Sequence, residues 1–440
     1  MREIITIHVG QCGVQIGNSI WELFCKENNL FNDGTLQEQN EPESVDRDNT
    51  MFYESLEGKY TPRAVFVDLD SDICDEVRVG ELGKLFSQEQ ILNWNENAGD
   101  VFARGRYAVG KKLIKQCLDQ IRKTANQCCN LQGFIVTHSI SGGTGSGFGS
   151  YILENLSDQY SKKLNLCCTV FPSPNMATSV VEPYNYVLSS EALRSFSDLT
   201  LCISNEALYR ICNDHLGIPS PNYLNLNRII AQLLSSVTIS MRYDGSPNTD
   251  LTALKTNLVP YNSIHYILPS MAPLIPSYKQ HKLTKSNEEL TVDCFERSAV
   301  MAKCDPLYGK YIACYLQYRG QVLPKDVFSS ITTIKRSRSI QFVDWCPTGF
   351  KSSLSRCKVK EAGGEELGGY LKSCTMLANS TCLGEIFSPL NHKFDLLYFE
   401  RAFVHWFLDE MPEYEFGYRR EDLAYLEKDY EEIAVDNSDL

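Results

Sequence analysis

The residues best placed to do chemistry in this chain are two glycine-rich turns and a pair of carboxylates. "SISGGTGSGFGS" runs from Ser139 to Ser150, with four glycines between Gly142 and Gly147, and leads into the helical pattern "YILENLSDQY". "GQCGVQIG", from Gly10 to Gly17, opens a second helix in the same way. Turns of this kind leave backbone N–H groups bare, so an anion can rest on them. Two such helix N-termini can neutralise a polyphosphate without any lysine. Asp68 and Asp70 stand at a strand tip, where they suit a hydrated Mg²⁺, an ion that keeps waters and takes few protein carboxylates. The competing reading is ordinary sheet-end turns with solvated acids.

Two familiar phosphate signatures do not fit. No Lys-Ser or Lys-Thr pair follows the last glycine of "GGTGSG", so it is not a P-loop. "GQCGVQIG" lacks the G-x-G-x-x-G spacing, and its nearest strand-end carboxylate lies over fifty residues on, where about twenty is the rule. An NAD-dependent dehydrogenase is therefore the weaker alternative.

The elements that must position these loops alternate. "EIITIHVG", "RAVFVDLD", "LQGFIVTHSI", "LNLCCTVFPS" and "DLTLCISNEAL" read as strands or strand-to-helix passages with helical stretches between them. That pattern predicts a Rossmann-like α/β domain over 1–205, with a parallel sheet whose ligand lies along its carboxyl edge. "NDGTLQEQNEPESVDRDNT" is polar and aperiodic, which predicts a mobile surface loop. "NLNRIIAQLLSSVTISMRYDG" is apolar on most faces and reads as a central helix. "NSIHYILPS", "GKYIACYLQYRG" and "SIQFVDWCP" read as strands of a second, α+β domain over 206–383. The remainder, 384–440, reads as a C-terminal helical hairpin through "FERAFVHWFLDEM" and "REDLAYLEKDYEEIAV". In the last helix Leu423, Leu426, Tyr430 and Ile433 form the apolar stripe, with Asp422, Glu427, Asp429, Glu431 and Glu432 opposite.

Composition narrows the function. A 440-residue chain with 43% apolar content can bury a large core. No run of 18 apolar residues occurs and the N-terminus does not read as a signal peptide, so no membrane insertion is expected. Seventeen cysteines in that setting read as reduced thiols. None is spaced C-x-x-C, and the adjacent pairs Cys128-Cys129 and Cys167-Cys168 cannot both face one metal, so zinc is not expected. Of the net charge of −13, residues 409–440 carry −9, from 12 acidic and 3 basic residues. With no concentrated positive charge, nucleic acid is not an expected partner; the acidic end could attract basic ones.

"MREI-x-x-IHVGQCGVQIGN", "PRAVFVDLD", "GGTGSGF", "VVEPYN", "NLNR", "TNLVPY", "KCDP-x-x-GKY-x-A", "SIQFVDWCPTGFK", "HKFDL-x-Y", "RAFVHW" and "LEKDYEE" occur in this order along nearly the whole chain. Together they resemble tubulin, and "VDWCPTGFK" with the longer loop after it resembles the alpha type; Cys12 is the one beta-like choice.

The resemblance implies a GTP site with Mg²⁺. It implies that Gln11 and Cys12 touch phosphate and metal, and that Asp68 and Asp70 hold the metal's shell. Asp70 is shorter than the family's glutamate, which inserts a water. Ser139, Gly142, Gly143, Thr144 and Gly145 would cradle the phosphates, and Thr178 and Glu182 would face the ribose. Asn205 and Asn227 would read guanine and Tyr223 would stack on it; an amide suits guanine because it offers both donor and acceptor. Two departures stand in the loops. Ser141 replaces a glycine, a cost if the backbone there needs φ > 0. Asp100 replaces an asparagine that donates to the terminal phosphate, and a carboxylate there repels phosphate unless a cation intervenes.

The resemblance also implies partners: beta-tubulin in a head-to-tail heterodimer, other tubulin dimers in the microtubule lattice, and motor and microtubule-associated proteins. It implies a place in the cytoplasm, on microtubules, a specialised array such as a cilium included. A tubulin-like subunit that binds beta-tubulin but caps the lattice is the alternative, and a self-contained GTPase is a third. In the family a glutamate in the segment matching "NTDLTALKTN" helps water attack the neighbour's GTP; here it is Ala253, so weak or absent hydrolysis is expected. Asn40 stands where alpha tubulins carry an acetylatable lysine. "PSYKQHKLTK" (276–285) is more basic than the family's lateral-contact loop, and the tail "AVDNSDL" has neither a glutamate run nor a terminal tyrosine.

Overall fold

The structure is a computed structural model and describes residues 2–37, 49–55, 58–173, 175–243, 245, 247–279, 285–337, 340–346, 349–360 and 367–435. Asn40, most of the polar loop around it, residues 280–284 of the basic loop and the last five residues lie outside that set.

Unbroken apolar runs make central strands, because a strand covered on both faces must be apolar on both. β1 (Glu3–Val9) is buried at every residue and lies mid-sheet. A short hairpin follows, β2 (Phe52–Glu54) and β3 (Tyr60–Pro62), then β4 (Ala64–Asp68) and β5 (Ile91–Asn93). The next three strands are β6 (Leu131–Ser139), β7 (Leu164–Phe171) and β8 (Leu199–Ser204). The last four are β9 (Tyr266–Ala272), β10 (Tyr311–Gly320), β11 (Phe350–Ser355) and β12 (Lys372–Ser380). Ten of these form one sheet in the order β11-β10-β12-β9-β8-β7-β6-β1-β4-β5. From β5 through β9 every pairing is parallel. β12 runs antiparallel to both β9 and β10, and β11 is parallel to β10.

Register decides what the sheet presents. His8 pairs with Thr137, Val9 with Val67, Ser139 with Val170 and Phe171 with Ser204. The carboxyl ends of β1, β4, β6, β7 and β8 therefore lie along one edge. The helix Tyr223–Arg242 is buried along nearly its whole length and packs on the helix Gly10–Glu27, as its apolar sequence predicts for a central helix.

Three sequence expectations need correction. "SIQFVDWCP" forms no strand in its described part; Phe342 makes only an isolated bridge to Tyr311, and the edge strand is the following Phe350–Ser355. "FERAFVHWFLDEM" is not continuous helix: Arg401 and Phe403 have φ of 51° and 60°, which breaks the run, so that beyond Phe399, the end of the preceding helix, only His405–Leu408 is helical. In the helix Tyr414–Ala434, Asp422 and Glu427 do not belong to a free solvent face. Asp422 pairs with Arg194, and Glu427 accepts from the Asn391 amide at 2.9 Å. They flank the buried stripe of Leu423, Leu426 and Tyr430, close enough to reach neighbouring helices.

Candidate functional site

The first loop begins at Gly10, whose φ of +72° turns the chain sharply out of β1 into the helix Gly10–Glu27. A Cβ at Gly13 would stand 2.3 Å from the Thr137 carbonyl, so only glycine lets this helix lie so close to β6. Gln11 is exposed at the edge and Cys12 is half-buried beside it. Burial pushes the Cys12 thiol up to about 12, so it stays neutral.

The second loop follows β6. A Cβ at Gly143 would meet the Val101 amide at 2.6 Å, and one at Gly145 would meet the Ser139 carbonyl at 2.2 Å. These two glycines are required by crowding from the protein itself. Gly142 differs, since the sole neighbour of a Cβ there would be Asp100 Oδ1 at 3.9 Å; it is the open side of the turn. Thr144 is buried, and its side chain works to lower the Asp68 carboxyl. His138 Nδ1 lies 3.1 Å from the Gly145 carbonyl, and burial lowers this imidazole to about 4, so it braces the loop as a neutral ring.

Ser141 carries no backbone penalty. The described non-glycine residues with positive φ are Asn29, Asp100, Arg401 and Phe403, and Ser141 is not among them. The left-handed residue is Asp100, at φ 57°, a conformation aspartate and asparagine tolerate better than most. Its side chain is exposed, facing the glycine loop.

Asp68 and Asp70 sit where β4 ends. Burial raises the Asp68 carboxyl to about 6, against the pull of hydrogen bonds from the Asp70 and Leu69 amides. Its Oδ1 accepts from Leu69 N at 2.7 Å. Asp70 is half-buried; Oδ1 accepts from Asp72 N at 3.3 Å and Oδ2 from the Asn97 amide at 2.9 Å. One buried and one partly exposed carboxylate beside an anion-binding turn fit a Mg²⁺ ion that keeps most of its waters.

Beyond the phosphate loops, Glu182 is buried and accepts from Thr178 N at 2.8 Å, Thr178 Oγ1 at 2.7 Å and Ser179 N at 3.2 Å. Asn205 starts the helix Asn205–Ile211 directly at the end of β8. Tyr223 starts the helix Tyr223–Arg242 and is 53% exposed, leaving its ring face available; Asn227, one turn on, is buried. Residues four apart share a helix face, and the helices starting at Asn205 and Tyr223 touch. The expected phosphate, ribose and base residues thus all fall on loops and helix starts at the carboxyl edge.

Ala253 does not. It lies in the first turn of the helix Leu251–Leu258, whose capping residue Asp250 reaches Gln132 Nε2 at 3.3 Å and Arg2 at 3.5 Å. Gln132 and Arg2 mark the starts of β6 and β1, so this helix sits at the amino edge. A nine-residue strand spans roughly 27–30 Å. Ala253 therefore cannot touch a nucleotide held by its own chain.

Sequence reasoning missed two groups. Asn185, fully buried, donates to the carbonyls of Asp100 and Ser141, each at 2.7 Å, and accepts from Phe102 N at 3.0 Å. One amide thus ties the Asp100 loop to the glycine loop; it ends the "VVEPYN" motif, the only sequence signal for it. Glu206, next to Asn205, is held by Lys303 at 2.7 Å and by Ser173 and Asn175. Burial would raise its carboxyl, but these three partners keep it below the usual range.

Among the described residues no helix is long and apolar enough to cross a membrane. Comparison with known families finds "Tubulin/FtsZ family, GTPase domain" over residues 3–213 and "Tubulin C-terminal domain" over residues 263–392. The chain is also similar to the Tubulin alpha-2B chain of Physarum polycephalum, 49% identical over 441 residues, covering 100% of this chain and 98% of that relative. Phosphate-type turns on a parallel sheet, both family matches and full-length similarity to an alpha chain agree: this chain belongs to the tubulin family and is alpha-tubulin-like.

Proposed function

We propose that this chain is the alpha-type subunit of a microtubule-forming heterodimer, holding GTP at the carboxyl edge and pairing head-to-tail with beta-tubulin. The observation that carries the reading is the opposition of two sites. The glycine turns, Asp68, Asp70 and the helix starts at Asn205 and Tyr223 occupy one end of the sheet and the Ala253 helix the other, the layout a head-to-tail polymer would use if each subunit is to face its neighbour's nucleotide. In this reading 1–205 binds nucleotide, 206–383 is the intermediate domain and 384–440 the outer helical layer.

Within the site, Gln11, Cys12, Ser139 and the Gly142–Gly145 turn hold the phosphates, and Asp68 and Asp70 hold a hydrated Mg²⁺ that screens phosphate charge. Thr178 and Glu182 take the ribose; Asn205, Asn227 and Tyr223 take guanine. Asp100 brings negative charge to the open side of the turn, so the Mg²⁺ must offset it. Co-expression with beta-tubulin tests the whole reading. A stable dimer that enters polymer supports it, whereas a dimer that stops polymer growth would favour a capping subunit.

The base assignment has its own test. Asn205→Asp replaces an amide with an acceptor-only group against guanine's edge. Guanine nucleotide should then be held roughly 10–100-fold less tightly, since an unsatisfied buried polar group costs about 1–3 kcal/mol. Anion-exchange analysis of nucleotide released from denatured dimer reads this directly. Unchanged guanine content, or adenine nucleotide in the parent, would sink the assignment.

The exposed acids near the end of the helix Tyr414–Ala434 suit basic surfaces of motors and microtubule-associated proteins. Glu431 and Glu432 are exposed, and Glu432 makes only a loose 3.5 Å pair with Lys428. Reversing both to lysine should slow motor association roughly tenfold at low salt, with the difference fading as ionic strength rises. Identical association rates would leave this face as solvated surface.

A further inference from the structure

All 17 cysteines are free, yet two of them touch sulfur to sulfur. Cys304 lies in the connection from β9 to β10, and Cys382 in the turn from β12 to the helix Gly384–Phe399. They are 78 positions apart in sequence, and their Sγ atoms lie 3.5 Å apart in a buried contact. We propose that Cys304 and Cys382 form a reversible dithiol–disulfide pair, oxidised by hydrogen peroxide and restored by thiol reductants.

The scaffold on both sides of the pair is already clamped. Asp305 N donates to Glu385 Oε2 at 2.9 Å, and Thr381 N donates to the Lys310 carbonyl at 3.0 Å. A Cβ on Gly309 would come within 2.5 Å of the Cys382 amide, so that stretch of chain lies directly against the cysteine. A disulfide bond is about 2.05 Å long, so the sulfurs need close by only about 1.5 Å between segments that cannot drift apart.

The two thiols are not equivalent. Cys382 is the middle residue of the short turn Thr381–Leu383 that leads into the N-terminus of a 16-residue helix, a position that favours thiolate. The sulfur–sulfur contact holds Cys382 below the ordinary thiol range and pushes Cys304 up. Cys382 is therefore the attacking sulfur. Its thiolate attacks one oxygen of peroxide, the O–O bond breaks, and hydroxide leaves, giving Cys382 sulfenic acid. Cys304 sulfur then attacks the Cys382 sulfur, the S–OH bond breaks and the departing hydroxide takes the Cys304 proton as water. The net change is two thiols plus one peroxide to one disulfide plus two waters. Both thiols are buried, and the acidic Asp305 and Glu385 lie next to them, so small uncharged peroxide is favoured over bulky anionic disulfides such as oxidised glutathione.

The test uses full-length chain co-expressed with beta-tubulin. Purified dimer is exposed to graded hydrogen peroxide, quenched with catalase, alkylated under denaturing conditions and digested without reduction. The Cys304–Cys382 cross-linked peptide should appear before any other cysteine pair and vanish on treatment with dithiothreitol. Cys304→Ser should leave Cys382 as a sulfenic acid that dimedone traps, whereas Cys382→Ser should leave Cys304 as free thiol at the same dose. The proposal is overturned if other cysteines oxidise while this peptide is absent from parent protein. Cross-linking first at Cys294 and Cys374, the other closely placed thiols, would overturn it too. The parent-protein measurement needs no variant, so a poorly folding mutant cannot obscure the result.

Discussion

Replacing Ala253 with glutamate should raise phosphate release during assembly by about 10²–10⁴-fold, the usual worth of a general acid–base group. That factor corresponds to roughly 3–5 kcal/mol of barrier. A methyl group can neither accept a proton nor orient a water. Asp250 is not free to substitute for it. Asp250 Oδ1 accepts from Ala253 N at 2.9 Å, and Oδ2 is taken by Gln132 and Arg2. The site should also tolerate the change. Ala253 is half-buried in the third position of a helix, where a carboxylate interacts favourably with the helix dipole. A loss of rate through misfolding is therefore not expected.

The comparison pairs both chains with the same beta-tubulin and measures phosphate release against polymer mass. A large gain for Ala253→Glu means that the parent builds a GTP-retaining lattice that shrinks rarely. Equal rates would mean that another group supplies the chemistry. Because Ala253 lies at the amino edge, nucleotide bound in its own chain should be retained unchanged in either case.

Glu27→Gln should cost about 3–5 kcal/mol, because it strips the counter-charge from two buried guanidiniums. Glu27 ends the helix that begins at Gly10. Its Oε1 accepts from Ser235 Oγ at 2.6 Å and Arg319 Nη2 at 2.8 Å, and its Oε2 pairs with Arg242 at 2.7 Å. All three charged side chains are almost fully buried. Burial alone would raise the Glu27 carboxyl; Arg242 and Arg319, with hydrogen bonds from Ser235 and Arg319, overcome it and leave it at about 2. The cluster joins the first helix, the central helix and β10, so its loss loosens the nucleotide half from the second half of the sheet.

The sign of the pH dependence follows. Glu27 is depressed below its ordinary value of 4.5, so its contribution is complete above that pH and is lost as pH falls toward about 2. The gap between parent and Glu27→Gln in urea midpoint should thus be full at neutral pH and narrow only below about pH 4.5. Since folded proteins hold about 5–15 kcal/mol in reserve, a markedly lower yield of soluble dimer is also expected. An unchanged midpoint at pH 7 would mean that the arginines find other partners. Ser235→Ala should be milder, about 1 kcal/mol, because it removes a hydrogen bond and leaves the charges paired.

What the amino-acid sequence determined by itself was local and periodic. The alternation of strands and helices, the two glycine turns and the strand-tip carboxylates follow from spacing that each segment carries alone. Parallel strands then require their following loops to share one edge, so the meeting of the two glycine turns with Asp68 and Asp70 was legible too. The edge strand Phe350–Ser355 was not. Its residues "FKSSLS" look polar, and Ser353 is buried because it meets Ser240 at 3.1 Å and Gln317 at 2.8 Å, partners on two distant segments. Tertiary structure alone decided that Ser141 carries no strain and that Asp100 bears the left-handed turn. It also decided that the Asn185 amide joins the two loops, that Asp422 and Glu427 bind neighbouring helices, and that Cys304 meets Cys382. Each of these depends on what another segment places within about 4 Å, and no local pattern encodes that distance.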